Sequence, residues 1–108
     1  MRRWLPELSA DLPRVTIRQL LHHQSGWRDW GDLVDLQGWP RGTRAFTMED
    51  ALALLARQRA LNFVPGAEYL YSNTNYVLAA LIVQRASGEP FADYCRHALF
   101  APLGMTHT

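Results

Sequence analysis

Apolar residues recur at helical spacing in four parts of the chain, and Gly and Pro stand singly between them. In the first part, Ile17, Leu20 and Leu21 occupy positions i, i+3 and i+4. Thr16 precedes them and is a residue type that caps helix N-termini. The pattern predicts a helix of about two turns that stops at Gly26.

The second predicted helix follows Thr47, which has Asp50 three residues further on. This spacing approximates a capping box, with Asp in place of the usual Glu or Gln. The apolar stripe that follows extends to about Ala60 and consists of Met48, Leu52 and Leu55.

The third helix is predicted from a run of apolar residues over 76–83 that ends at Ser87 and Gly88. The run is apolar on every side, which is typical of a helix buried on all faces, so other structure must cover both faces. The fourth helix starts at Pro90, a residue suited to the first turn, and ends before the turn at Pro102-Leu103-Gly104. Its apolar stripe consists of Phe91, Tyr94, Cys95 and Ala98.

Between the first two helices lies a stretch rich in Trp and Gly without a helical or alternating period over most of its length. It contains Trp27, Trp30, Gly31, Gly38, Trp39 and Gly42. We interpret it as an ordered loop held by aromatic packing. Residues 64–67 predict a tight turn, and residues 68–71 predict a short extended segment. No strand of normal length is indicated, so we expect a mainly α fold in which residues 1–108 form a single domain.

All 11 basic residues are Arg. A chain without Lys cannot form a Schiff base or a P-loop, and it cannot supply the Lys of S-x-x-K or K-T-G motifs. The net charge of +1 argues against nucleic acid as a partner, including a helix-turn-helix based on residues 16–26.

The sequence predicts neither a metal site nor a cofactor. His22, His23, His97 and His107 lack metal-ligand spacing, and we assign them to packing or the surface. Cys95 is expected to be a buried structural thiol, and Ser25 with Gly26 to be a helix end rather than a nucleophile elbow. We find no signal peptide in this segment and no transmembrane stretch, and localisation stays open.

The polar residues of segment 71–76 directly precede the most apolar predicted helix. The local pattern alone favours a structural role, in which Ser72 or Asn73 caps the helix and the ring of Tyr71 packs. Polar groups at such a position must be satisfied or be functional.

Five segments in order give this motif a second interpretation. They are residues 4–8 (WLPEL), 15–26 (VTIRQLLHHQSG), 63–66 (FVPG), 71–76 (YSNTNY) and 100–105 (FAPLGM). Together they resemble the serine β-lactamase family, most closely the branch of class C β-lactamases, D-amino-acid carboxypeptidases and related esterases. The resemblance implies the helical portion of an α/β fold related to penicillin-binding proteins.

The resemblance implies that Tyr71 and Asn73 are catalytic residues of a Tyr-x-Asn motif, with Ser72 as the middle residue. The Tyr71 phenol would exchange protons with the nucleophilic Ser and the leaving group, and Asn73 would bond the catalytic Lys and the acyl side of the substrate. The family's S-x-x-K and its K-x-G or H-x-G motif are both missing from these 108 residues. We therefore expect an internal segment of a serine hydrolase that is inactive alone.

The substrate in the complete protein would be a small acyl compound, with β-lactam, peptide and ester all open. The alternative is a small helical interaction or scaffold protein that retained this lobe without catalysis. A reading frame that continues upstream of Met1 into a Ser-x-x-Lys would favour the hydrolase. In either case the apolar helix over 76–83 predicts an exposed apolar face that promotes self-association.

Overall fold

The computed structural model describes residues 1–38, 42 and 44–108. Within these residues the regular structure is entirely helical. Its elements are α1 (Ile17–Leu21), α2 (Trp30–Leu36), α3 (Met48–Ala56), α4 (Asn73–Ser87) and α5 (Phe91–Cys95), which runs on into the π-helical turn Arg96–Phe100. No described helix is both long and apolar enough to cross a membrane.

All four predicted helices are present, and the two predicted Thr caps are confirmed. Thr16 and Thr47 each accept a hydrogen bond from the backbone N–H three residues on, at 3.2 and 3.1 Å. Asp50 returns the bond to the backbone N–H of Thr47 at 2.9 Å. The carboxylate of Asp50 accepts hydrogen bonds from that N–H, from the Thr47 hydroxyl and from Arg44. These bonds stabilise the charged form, so the pKa of Asp50 lies below its usual value.

Two predicted helix ends were placed too late. α1 ends at Leu21 rather than Gly26, since His23 adopts a left-handed conformation with φ of 54° and turns the chain away. α3 ends at Ala56 rather than about Ala60.

The prediction of a loop for the Trp-rich stretch is wrong for residues 30–36, which form α2. Asp29 caps this helix by accepting from the N–H of Gly31 at 2.8 Å. The two Gly residues nearby masked a short i, i+3, i+4 pattern that consists of Trp30, Leu33 and Val34. Trp27 is buried in the core, as aromatic packing requires, whereas Trp39 lies outside the described residues.

The core surrounds α4, which contacts α1, α2, α3 and α5. The buried apolar side chains of this core come from the N-terminal segment, from Trp27 and from the helices α1, α3 and α4, and include Leu5, Leu8, Leu20, Leu52, Leu55, Leu78, Leu81 and Ile82. Arg85 joins the N-terminal segment to α4, because its guanidinium donates to both carboxylate oxygens of Glu7, at 2.9 and 2.7 Å, and to the carbonyl of Trp4 at 2.6 Å. The bond from Arg85 holds the pKa of Glu7 below its usual value.

Within the described residues, α4 is only partly covered, and part of its apolar run is exposed. Leu78 and Leu81 are buried, but Tyr76 is 54% exposed and Val77 is half-buried. The Tyr76 hydroxyl donates to the carbonyl of Leu21 at 3.3 Å, which places exposed side chains of α1 and α4 side by side. We refer to Ile17, Leu21, Tyr69, Leu70 and Tyr76, all at least 45% exposed, as the apolar surface.

We expect the isolated chain to self-associate through this apolar surface. At about 25 cal/mol per Å², a few hundred Å² of exposed apolar area favours association. Light scattering should detect oligomers, and a dye that fluoresces on apolar surfaces should bind.

The matched control separates this surface from apolar exposure elsewhere. Replacing both Leu21 and Tyr76 with Ser should reduce association and dye binding. Leu36 is 84% exposed at the end of α2, outside the apolar surface. Leu36→Ser should therefore leave association and dye binding almost unchanged. A dye-silent monomer at high concentration would contradict the expectation.

Candidate functional site

Tyr71 and Asn73, the two predicted catalytic residues, lie together at the N-terminus of α4. The Tyr71 hydroxyl donates to Oδ1 of Asn73 at 3.1 Å, and both side chains are exposed. The backbone therefore presents a phenol and an amide side by side. The catalytic roles of the two residues remain a prediction.

The expected side-chain cap of α4 by Ser72 or Asn73 is wrong. Ser72 occupies the N-cap position with an extended backbone, but its hydroxyl makes no capping bond, and Oγ is buried without a protein partner. Asn73 is the first helical residue, and its backbone N–H donates at 2.5 Å to Oδ2 of Asp29. The cap of α4 thus comes from a residue 44 positions earlier.

Asp29 connects the N-termini of two helices. Its Oδ1 accepts from the N–H of Gly31 in α2, and its Oδ2 accepts from Asn73 twice, from the backbone N–H and from Nδ2 at 2.9 Å. The half-buried carboxylate therefore binds both the main chain and the side chain of Asn73. No sequence motif singled out Asp29, whose only local signal is its place before a short apolar pattern.

Thr74 holds the segment around Asp29 against the first turn of α4. Its hydroxyl is fully buried, accepts from the N–H of Trp30 at 2.8 Å and donates to the carbonyl of Arg28 at 2.7 Å. Two hydrogen bonds on one short side chain leave Thr74 little freedom. Asp29 is thereby placed opposite Asn73.

His23 supports the motif from the other side. Its ring packs against those of Tyr71 and Tyr76, with centroids 4.5 and 5.4 Å away. Its Nδ1 lies 3.3 Å from the backbone N of Ser72 and 3.1 Å from Nδ2 of Asn75. Since both of those groups are donors, Nδ1 acts as the acceptor. The assignment of His23 to packing is correct but incomplete, because the residue also bonds the main chain of the motif.

Ser25 is buried and is not an available nucleophile. Its hydroxyl donates to Oδ1 of Asn75 and accepts from the N–H of Trp27 at 3.1 Å. Ser25, Asn75 and His23 thus form one connected network beneath Tyr71 and Ser72. This network fixes the position of Tyr71 and Ser72 relative to the core.

A cleft of about 510 Å³ opens beside the motif, between α2 and the segment of Tyr71 and Asn73. The rings of Trp30 and Phe46 line it with centroids 5.9 Å apart. The polar side chains of the wall are those of Asp29, Asp32, Asp35, Tyr71 and Asn73. The cleft can admit a small organic molecule next to the phenol and the amide. The described residues contain no group of three or more His, Cys, Asp or Glu side chains placed to hold a metal ion.

Comparison with known proteins shows similarity along the whole chain. A family model described as Beta-lactamase matches residues 1–108. A D-aminopeptidase of Cereibacter sphaeroides is 39% identical over 102 residues, which is 94% of this chain and 19% of that protein. Penicillin-binding protein 4* of Bacillus subtilis is 36% identical over 106 residues, which is 98% of this chain and 23% of that protein.

Solved structures show the same relationship. A D-stereospecific amidohydrolase from Streptomyces superimposes with a TM-score of 0.79 at 27% identity, over 95% of this chain and 33% of that one. The helical fold described above is therefore part of a β-lactamase and penicillin-binding-protein-like fold, as the sequence predicted. The chain spans about a fifth of the length of the curated relatives that it matches.

Proposed function

Because the chain belongs to the Beta-lactamase family, we propose that it forms the helical side of a serine-hydrolase active site and supplies the Tyr-x-Asn motif. Tyr71 is the proton-transfer residue and Asn73 positions the substrate. The proposal depends chiefly on one observation, the hydrogen bond of 3.1 Å between the exposed Tyr71 hydroxyl and Asn73 Oδ1 at the edge of the cleft.

The chemistry of a phenol defines what the rest of the site must provide. A tyrosine titrates near pH 10 in water, so it moves protons near neutrality only beside cations or within a proton-relaying network. This sequence contains no Lys. In our proposal, a Ser nucleophile and a Lys come from sequence outside these residues and reach Tyr71 from the open side of the cleft.

The proposed reaction is acyl transfer at a carbonyl. The Ser oxygen bonds to the carbonyl carbon while the Ser proton passes to the Tyr71 oxygen and the phenol proton passes to the neutral amine of the incoming Lys. The bond from the carbonyl carbon to the leaving nitrogen or oxygen then breaks, and the departing amine or alcohol takes a proton from Tyr71, which Lys replaces. In the second half, water bonds to the carbonyl carbon of the acyl-enzyme, its proton passes through Tyr71 to the Ser oxygen, and the ester bond breaks to release the acid.

One relative is named a D-aminopeptidase and one similar structure a D-stereospecific amidohydrolase. Amides of D-amino acids are therefore the first substrates to test, before β-lactams and esters.

The exposed apolar surface supports the same proposal. We propose that residues 1–108 are one internal domain segment that packs against a sheet through Ile17, Leu21 and Tyr76, side chains that the described residues leave about half exposed. The alternative function, a helical interaction protein without catalysis, would use this surface for a partner. The two candidates differ in whether the segment supports turnover in a complete hydrolase.

A chimera tests the proposed function. The chain replaces the aligned 102 residues of the C. sphaeroides D-aminopeptidase, and hydrolysis of a D-amino-acid p-nitroanilide is measured. We expect the chimera to turn over substrate above the buffer rate. The 108-residue chain alone should match the buffer rate with the anilide, a chromogenic β-lactam and a p-nitrophenyl ester.

Two outcomes would contradict the proposal. One is a folded, soluble chimera without turnover, which would favour the interaction protein. The other is hydrolysis by the isolated chain that follows the protein through further purification, because the missing Ser and Lys would then be unnecessary.

A further inference from the structure

We propose that Asp29 is a positioning residue that sets the orientation of the Asn73 amide and, through it, the direction of the Tyr71 hydroxyl. This inference rests on the proposed function. Asp29 Oδ2 lies 2.5 Å from the backbone N of Asn73 and 2.9 Å from its Nδ2, and Asn73 Oδ1 lies 3.1 Å from the Tyr71 hydroxyl.

Only one orientation of the Asn73 amide satisfies the hydrogen-bonding groups around it. A carboxylate oxygen accepts hydrogen bonds, so the end of the Asn73 amide that faces Asp29 must be the NH₂ group. The amide oxygen is then turned toward Tyr71, whose hydroxyl must donate to it. Asp29 thereby fixes the direction of the phenol proton in the resting site.

Without Asp29 the amide would lose this preference. A flipped Asn73 would present NH₂ to Tyr71, so the phenol would accept from the amide and its own proton would point in another direction. The backbone bond to Asp29 also holds the first turn of α4, so its loss would let the motif move. A displacement of about 1 Å at a catalytic group can lower the rate about 100-fold.

The second oxygen of Asp29 has a separate structural function, because it caps α2 through the N–H of Gly31. Asp29→Ser retains a capping oxygen but is too short to reach Asn73. Asp29→Asn is nearly isosteric, but its amide has one acceptor oxygen, whereas the carboxylate uses one oxygen for Gly31 and the other for Asn73. Comparison of the two variants therefore separates positioning from capping.

In the chimera we expect Asp29→Ser to lower kcat by about 10- to 100-fold with a smaller change in KM, because a misplaced relay affects the chemical step. The kcat of Asp29→Asn should lie between that of Asp29→Ser and that of the unsubstituted chimera. The control is Thr47→Ala, which removes the N-cap of α3 away from the cleft. It should lower the stability of the fold and leave kcat nearly unchanged.

A second measurement does not depend on the chimera. In the isolated chain, Asp29→Ser should shift the side-chain amide resonances of Asn73 and accelerate their exchange with water, and Thr47→Ala should not. Unchanged Asn73 resonances in Asp29→Ser would overturn the inference.

The kinetic outcomes distinguish this inference from the proposed function. If Tyr71→Phe loses activity while Asp29→Ser keeps its kcat, the positioning role is wrong and the proposed function stands. If neither variant changes kcat, the proposed function fails and the positioning role fails with it.

Discussion

Tyr71→Phe in the chimera should lower kcat by about 10² to 10⁴, the usual contribution of a proton-transfer group. The substitution removes the hydroxyl that donates to Asn73 Oδ1 but keeps the ring that packs on His23. Folding should therefore survive, and the loss should fall on kcat more than on KM. Steady-state kinetics with the D-amino-acid p-nitroanilide, with circular dichroism for folding, measure both effects.

Tyr76→Phe is the matched control. Its ring also packs against His23, but its hydroxyl donates to the Leu21 carbonyl at 3.3 Å instead of facing Asn73. This variant should keep its activity within a few-fold, far below the loss expected for a proton-transfer group. Two results would show that Tyr71 is not the proton-transfer residue. One is an equal loss of activity in the two variants, and the other is a Tyr71→Phe chimera that keeps its activity within a few-fold.

Gly26→Ala should have the largest effect on stability. Gly26 is buried, with φ of 76°, and a Cβ there would lie 2.5 Å from the carbonyl oxygen of Phe63 and 3.2 Å from Cβ of Leu61. The contact with Phe63 is to backbone, so it cannot be relieved by a side-chain rotation. The left-handed conformation adds its own cost for a residue with a side chain. We expect a loss of about 3 to 5 kcal/mol in the free energy of unfolding.

Gly88→Ala isolates the conformational part of that cost. Gly88 is the C-cap of α4 with φ of 78°, and nothing lies within 4 Å of the added Cβ. It should lose only about 1 kcal/mol. Urea unfolding of both variants at a protein concentration that keeps the chain monomeric gives the comparison. Equal losses would show that the close approach of Gly26 to Phe63 does not contribute.

Local signals accounted for the helices that carry a stripe and a cap. Thr16 and Thr47 cap α1 and α3 as predicted, because a capping hydroxyl and its N–H partner lie three residues apart in the chain. Local signals were misleading at α2, because Gly31 and Gly38 suggested a loop where residues 30–36 form a helix. They were also misleading for the cap of α4, where the local candidate Ser72 leaves its hydroxyl unused.

The sequence by itself determined the four striped helices and the absence of Lys, and its ordered family motifs singled out Tyr71 and Asn73 as candidates. These depend on residues close together along the chain or on a pattern that can be recognised in order. Only the tertiary structure decided that Asp29 caps α4 and orients Asn73, and that His23 bonds Ser72, over separations of 44 and 49 residues. Such contacts depend on how α1, α2 and α4 pack around the core, and single-sequence periodicity carries no information about which distant polar groups that packing brings within hydrogen-bond distance.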